Sequence, residues 1–301
     1  MKVSVNPTYF CNFRCSFCYL TPDQLGDQKR IELNTLDRLL GEITEPIEHI
    51  DLYGGEIGAL KKQYYYDLKD VIRNHYSGTI NINTNFSMLD ERFFQDDISL
   101  SVSYDFTARE KSDLVYQNML MSPKPIAVLI LASPEVIKMD VEEMIVQLNL
   151  CNSITSVEIK PYSINQANAH HVTHKTFEDF VLRFINAKIP KQFEFVNLSN
   201  IKRAVSKEYN AWSDDHVYIT PNGMFGVLEF DKDDREYFLE LPDYESYLTW
   251  AKSEKEALSP ICNECNYKGH CLTEHYRYVY NLDESCNGYR RLLDWYERVE
   301  N

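Results

Sequence analysis

Basic residues are scarce: 31 lysine and arginine side chains stand against 46 aspartate and glutamate, giving a formal charge of −15. A nucleic-acid surface or an anionic-lipid surface needs a basic face, so this balance argues against both and leaves solubility as the reason for the acidity. Long apolar runs are missing as well. The longest, residues 126–132, is far shorter than the ~20 residues a bilayer-spanning helix requires. Nor does a charged-then-apolar signal segment open the chain, because residues 1–6 run almost at once into a cysteine loop. The 10 glycines and 11 prolines never gather into a low-complexity linker, and no internal repeat is visible. These absences lead to the expectation of a cytoplasmic protein with neither a membrane nor a nucleic-acid partner.

What is present is a core and an uneven set of cysteines. With 44% hydrophobic residues, 301 residues suffice for one large α/β domain, or for a core of about 200 residues with a smaller appendage. The eight cysteines fall as three, one and four. Such clustering reads as two inorganic sites more readily than as disulfides spread through a secreted fold.

The first three stand in Cys11-Asn12-Phe13-Arg14-Cys15-Ser16-Phe17-Cys18, directly after an alternating strand at residues 2–6. Three thiolates can hold three irons of a four-iron cubane and leave the fourth iron without a protein ligand, whereas a closed structural site wants four ligands. A zinc knuckle, or three buried small hydrophobes, are the plainer readings of the same residues.

Beyond the loop the pattern alternates. A helix is expected from an Asn34 N-cap, with Leu36, Leu39, Leu40 and Ile43 on one face. A strand at residues 47–53 ends in Tyr53-Gly54-Gly55-Glu56, and a helix follows at 60–75. Strands at 79–84, 100–105, 126–131 and 156–161 complete the series, with a helix at 141–150 between the last two. Strands alternating with helical patterns of roughly 10–15 residues give βα units and a parallel sheet, in which ligands bind at the C-terminal strand ends. There, paired glycines let backbone approach a ligand closely, and the Glu56 carboxylate can accept hydrogen bonds from an ammonium group. Tyr53 and, after the sixth strand, Lys160, Tyr162, Asn165 and Gln166 are candidates for touching substrate. His170, His171 and His174 read as solvated loop residues, for want of flanking ligands.

The cysteine loop, with Phe17 just before its third cysteine, resembles the cluster loop of the radical S-adenosylmethionine (radical SAM) superfamily. Gly54-Gly55-Glu56, some 40 residues further on, is similar to the family motif that receives the methionine amino group. The resemblance implies a partial (β/α)6 barrel and a [4Fe-4S] cluster on Cys11, Cys15 and Cys18. It implies SAM chelated on the open iron and cleaved reductively to a 5′-deoxyadenosyl radical. Cofactor contacts are then implied at Phe17, Gly54, Gly55, Glu56, Thr84, Asn85, Ser103 and Asp105. Thr84-Asn85 continues into Phe86 where the family often has glycine, so that match is partial. Ser103 and Asp105 end their strand like the family's Ser-x-Asp and would face ribose and methionine. Isolated Cys151 is by default a buried structural cysteine; in a radical enzyme it is also a candidate to return a hydrogen atom to substrate.

Near the C-terminus, segments 217–220 and 225–228 flank Pro221-Asn222-Gly223 and read as a β-hairpin. Past a helix at 244–257 come Cys262, Cys265, Cys271 and Cys286, four thiols that can close the shell of a second iron–sulfur cluster or of a structural zinc. The arrangement resembles the SPASM/Twitch extension of radical SAM enzymes. It lacks two of the extension's cysteines, with Leu228 and His275 in their places. The resemblance therefore implies one auxiliary [4Fe-4S] cluster, two clusters in all, and a division into a barrel at 1–210 and an extension at 211–301.

Most relatives with this extension modify ribosomally made peptides, so hydrogen abstraction from a peptide is the expected function, leading to cross-linking, epimerisation or oxidation. Only ten residues precede Cys11, which leads to the expectation that a leader-recognition domain is absent and that a separate peptide-recognition protein supplies it. The alternative is oxidation or rearrangement of a small molecule such as a sugar or amino acid derivative. An electron donor such as flavodoxin or ferredoxin is implied in either case. A non-catalytic zinc-binding interaction protein explains the cysteines without explaining the strand-end motifs.

Overall fold

The computed structural model describes residues 1–162, 172–208, 216–228, 238–256, 260–272, 286 and 288–300. Seven strands lie side by side and parallel in chain order: β1 (Lys2–Val5), β2 (His49–Leu52), β3 (Ile80–Thr84), β4 (Ile98–Ser103), β5 (Ile126–Leu131), β6 (Ile154–Lys160) and the short β7 (Glu194–Phe195). Between and after them run α1 (Pro22–Gly26), α2 (Leu33–Glu42), α3 (Lys62–Arg73), α4 (Ser112–Leu120), α5 (Val141–Asn149), α6 (His174–Asn186) and α7 (Val196–Val205). The α/β architecture with a parallel sheet expected from the alternation is therefore present.

Two details differ from that expectation. α2 is capped at Glu32 without a side-chain hydrogen bond, and Asn34 sits inside its first turn, because the N–H groups of Thr35 and Leu36 already bond to the Glu32 carbonyl. Between β3 and β4 the crossover is one 3₁₀ turn, Glu91–Phe94, and not an α-helix. Arg92 pins that turn: its buried guanidinium donates to the carbonyls of Leu60 (2.7 Å) and Gly58 (2.8 Å), with Asp90 as its ion partner.

The C-terminal elements are β8 (His216–Ile219), β9 (Phe225–Leu228), β10 (Phe238–Leu241), α8 (Tyr244–Glu256), α9 (Pro260–Asn263) and α10 (Arg290–Glu300). β8 pairs parallel with β1, and β9 and β10 follow antiparallel, so the described strands form one open sheet of order β10-β9-β8-β1-β2-β3-β4-β5-β6-β7. The expected hairpin is thus a continuation of the main sheet. Gly223 at its turn holds φ +77°, a left-handed value that favours glycine. Among the described residues, no helix is long and apolar enough to cross a membrane.

The two faces of the sheet differ in chemistry. Val3, Val5, Ile50, Leu52, Ile80, Ile82, Ile126, Val128 and Ile130 are buried in the core, each contributing ~1.5–3 kcal/mol through burial. Alternate positions carry Ser4, Asp51, Asn81 and Ser99, which the parallel register sets in one row across β1 to β4. A parallel sheet packed on both faces reads as continuous apolar runs. Here one face of β1 to β4 is polar, which leaves it available to a ligand.

Candidate active site

The C-terminal ends of β1 to β5 meet in one place, and the cysteine loop leaves from the first of them. Beyond β1, the Thr8 hydroxyl donates to the Lys29 carbonyl (2.7 Å) and the Phe10 N–H donates to the Thr8 hydroxyl (3.1 Å), which sets the loop's entry. Phe13 and Phe17 are buried and anchor the loop in the core. The end of β2 comes up against it, with Gly55 N–H donating to the Thr8 carbonyl (2.9 Å) and Glu56 N–H to that of Phe10 (2.8 Å). A Cβ on Gly55 would stand 2.1 Å from the Phe10 carbonyl oxygen, and one on Gly54, at φ +140°, 2.7 Å from that of Thr8. The close approach that the paired glycines permit is therefore made to the cysteine loop's own backbone. Asn6, fully buried beneath Gly54, has a side-chain amide with no hydrogen-bond partner among the described residues.

Each sulfur of the trio meets N–H groups. Cys11 Sγ accepts from Phe13 N–H (3.4 Å) and faces Asn85 Nδ2 (3.7 Å); Cys18 Sγ accepts from Leu20 N–H (3.4 Å); Cys15 Sγ faces the Arg109 guanidinium (3.9 Å). Burial pushes all three thiols up, Cys18 to about 11, with neighbouring thiols adding to it at Cys11 and Cys18 and the Asp105 and Glu110 carboxylates at Cys15. A buried thiol trio ionises only beside a positive charge, and N–H donors aimed at sulfur suit the thiolate that a metal creates. The donor set thus fits an iron–sulfur cluster. Among the described residues no three His, Cys, Asp or Glu side chains are disposed to share one metal ion. A cubane asks for something else, since each thiolate takes its own iron.

The two carboxylates expected to face a cofactor are both turned into the protein. Glu56 is 1% exposed. Its Oε1 accepts from Gly58 N–H (2.8 Å) and the Thr84 hydroxyl (2.7 Å), and its Oε2 from Asn85 N–H (2.7 Å). Burial pushes this carboxyl up from its ordinary value while those three donors pull it down. The side chain ties the end of β2 to the end of β3. Asp105, also 1% exposed, accepts from Leu131 N–H (2.5 Å) on Oδ1 and from Arg109 (2.6 and 2.9 Å) on Oδ2. It joins the end of β4 to that of β5. Ser103 lies half-buried at the end of β4.

Thr84 and Asn85 are buried, and Asn85 Nδ2 also donates to Asn12 Oδ1 (2.8 Å) within the cysteine loop. Phe86 takes φ +53°, the left-handed conformation that a glycine would adopt without strain. Its carbonyl accepts from Asn118 (2.8 Å) and its ring packs on Phe93. The turn keeps its shape although the glycine is missing.

The remaining candidates separate. Tyr53 stacks on Tyr19 (6.0 Å between ring centres), and Tyr218 and Phe238 extend this aromatic group across β8 and β10. Lys160 pairs with Glu158 (2.9 Å) at the end of β6, and Tyr162 is buried. Asn165 and Gln166 lie outside the described residues, as do His170, His171 and His275; His174 opens α6. Cys151 is buried before the first residue of β6, with its sulfur 3.1 Å from the Ser153 hydroxyl. That is the opposite end of the strands from the cysteine loop.

Several polar residues of the sheet face, and one cation beside the trio, were not singled out by the sequence reading. On the polar face Asn81 donates to Asp51 (2.7 Å), Ser99 donates to Asn81 (3.1 Å), and Ser4 pairs with His216 (2.9 Å). The signal that could have found them is polar alternation in strands of a parallel sheet. Arg109 had no motif to mark it.

The C-terminal thiols also gather. A Cβ on Gly288 would lie 3.0 Å from Cys271 Sγ and 3.3 Å from Cys286 Sγ. Burial raises Cys262 and Cys286, and each is close enough to feel charge on Cys265. None of the four is in a disulfide. Gly288 leads into α10, which Arg291 ties to buried Glu178 of α6 (3.1 Å).

Neither a family model nor a curated protein sequence matches this chain. Solved structures do. anSMEcpe, an anaerobic sulfatase-maturating radical SAM enzyme with bound AdoMet, superposes with a TM-score of 0.67 at 12% identity, over 100% of this chain and 98% of its own. SuiB of Streptococcus suis bound to S-adenosylmethionine gives 0.61 at 14% identity, over 94% of this chain and 77% of its own. SuiB bound to precursor peptide SuiA gives 0.62 at 13% identity, over 90% and 70%. The chain has the fold of radical SAM enzymes.

Proposed function

We propose that this chain is a radical SAM enzyme that abstracts hydrogen from an unactivated C–H bond of a peptide. The observation that carries the reading is the thiol trio, each sulfur met by N–H groups, standing where the C-terminal ends of five parallel strands converge. A [4Fe-4S] cluster on Cys11, Cys15 and Cys18, with SAM on its open iron, supplies one-electron reductive cleavage to a 5′-deoxyadenosyl radical.

The chain's own residues hold and shape that site. Gly54 and Gly55 bring the end of β2 against the loop, and Glu56 fixes the ends of β2 and β3 together. Asn85 holds Asn12 and Cys11 in register with β3. Phe17, Gly54, Gly55, Glu56, Thr84, Asn85, Ser103 and Asp105 are the proposed SAM contacts. Cys262, Cys265, Cys271 and Cys286 would hold a second [4Fe-4S] cluster that carries electrons or staples the C-terminal region. An external one-electron donor of flavodoxin or ferredoxin type is required.

A peptide as substrate is supported by two structural neighbours, SuiB bound to precursor peptide SuiA and anSMEcpe bound to AdoMet and the Cp18Cys peptide. The aromatic group of Tyr19, Tyr53, Tyr218 and Phe238 suits an apolar side chain. A small polar molecule is the second reading, favoured by the row of Ser4, Asp51, Asn81 and Ser99. Iron and acid-labile sulfide per chain after anaerobic reconstitution test the cofactor half. About eight irons, falling to about four when Cys11, Cys15 and Cys18 are all changed to alanine, fit two four-iron clusters. A colourless, folded protein containing zinc would replace this reading with a zinc-binding interaction protein.

A further inference from the structure

Of the groups around the trio, one carries a fixed charge and is shielded from solvent. The Arg109 side chain is 11% exposed, and its Nη1 lies 3.9 Å from Cys15 Sγ. Its Nε and Nη2 both donate to Asp105 Oδ2, at 2.9 and 2.6 Å, and its guanidinium carbon stands 5.4 Å from the centre of the Phe17 ring. Asp105 is itself fixed from the other side, because Oδ1 accepts from Leu131 N–H of β5 (2.5 Å). A rigid chain of contacts therefore runs from β5 through Asp105 and Arg109 to the sulfur of Cys15. The neighbouring cation Lys111 lies over the Phe13 ring, but its side chain is 51% exposed and water screens it.

We propose that Arg109, held by Asp105, is a positioning residue that sets the reduction potential of the cluster on Cys11, Cys15 and Cys18. The inference rests on the proposed function and goes beyond it, since neither cofactor binding nor the thiol pattern calls for this pair. Reduction adds one electron, taken from an external donor, to a group already bearing thiolate charge. A nearby cation in a poorly solvated site favours the more negative state, whereas a carboxylate opposes it. The guanidinium is always charged, and five donors allow it to grip a carboxylate and still face a sulfur. Arg109 therefore raises the potential and Asp105 tempers that rise while fixing its distance.

The test is the midpoint potential of the full, reconstituted chain, read by electron paramagnetic resonance during a reductive titration with dithionite and without SAM. The signal that survives in the Cys11/Cys15/Cys18 triple-alanine variant belongs to the C-terminal quartet and is subtracted. Arg109→Gln is expected to shift the remaining signal to lower potential, Asp105→Asn to higher potential, and Arg109→Lys to lie between Arg109→Gln and wild type. Opposite shifts from two neighbouring substitutions are not what a merely structural pair gives. Unchanged potentials, or shifts in the same direction, overturn the inference. If Arg109→Gln fails to retain iron, Asp105→Asn decides alone: a rise supports the inference, and no change or a fall overturns it. A wild type without any trio-dependent reducible signal would instead defeat the proposed function.

Discussion

At the scale of single residues, the lesson is in where carboxylates point. Glu56 and Asp105 belong to strand-end motifs, and the motifs mark their positions in the sequence without encoding the direction of the side chains. Both are spent on backbone N–H groups of the next strand's end. Glu56→Gln keeps one acceptor oxygen and turns an NH₂ toward a backbone donor. The expected cost is about 1–3 kcal/mol of stability, read as a lower denaturation midpoint. A loss of SAM affinity with no loss of stability would contradict this role. A second residue-scale prediction concerns His49 and Asp51 on the polar face, 3.1 Å apart. The hydrogen bond to Asp51 raises His49, against the opposing effect of burial. A raised histidine contributes stability that is fully present below its unfolded value of about 6.5 and is lost as pH climbs through the folded value. The stability advantage of wild type over His49→Gln should therefore be larger at pH 6 than at pH 8, and an advantage independent of pH would remove the ion pair from the account. Arg109 was illegible in the sequence because its meaning lies in a contact with Cys15, 94 positions away.

At the scale of elements, the strands and most helices were legible from their periods, and the paired glycines from their position. The reason for the pair was not. Gly55→Ala would drive a Cβ into the Phe10 and Tyr9 carbonyls, which are backbone and cannot step aside. Iron bound by the trio should fall to the level of the triple-alanine variant, while Gly26→Ala, with nothing within 4 Å of its added Cβ, should bind iron like wild type. Equal iron in the two variants would refute the close packing of β2 against the loop. Phe86 shows the opposite compromise, a bulky residue held in glycine's conformation. Phe86→Gly relieves about 1–2 kcal/mol of backbone strain and forfeits about 3–5 kcal/mol of packing, so a net loss of about 1–4 kcal/mol is expected by chemical denaturation. A gain in stability would show that the turn dominates. The asparagine cap failed because a side chain that can cap says nothing about whether Glu32 has already started the helix. The pairing of β8 with β1 was out of reach because Lys2 and His216 meet only in the folded chain.

At the scale of the whole molecule, ten described strands make one sheet, with the thiol trio in the loop that follows β1 and the quartet gathered ahead of α10. Clustered thiols and βα alternation are local patterns, which is why the architecture and both cysteine groups could be read from the chain. The substrate could not, because the polar row on β1 to β4 and the aromatic group of Tyr19, Tyr53, Tyr218 and Phe238 are assembled by long-range pairing. α10 is tied to α6 by Arg291 and buried Glu178. Arg291→Ala, which removes the cation from that carboxylate and leaves it only the N–H of residue 291 (3.0 Å), should cost about 1–3 kcal/mol by chemical denaturation, discounted for the exposure of the arginine. The most direct test of the central claim is formation of 5′-deoxyadenosine from SAM by the reduced, reconstituted protein. Wild type is predicted to form it, and Cys15→Ala to form none while keeping the iron of the C-terminal quartet. A wild type that holds its full iron and sulfide, is reduced, and forms no 5′-deoxyadenosine would contradict the account.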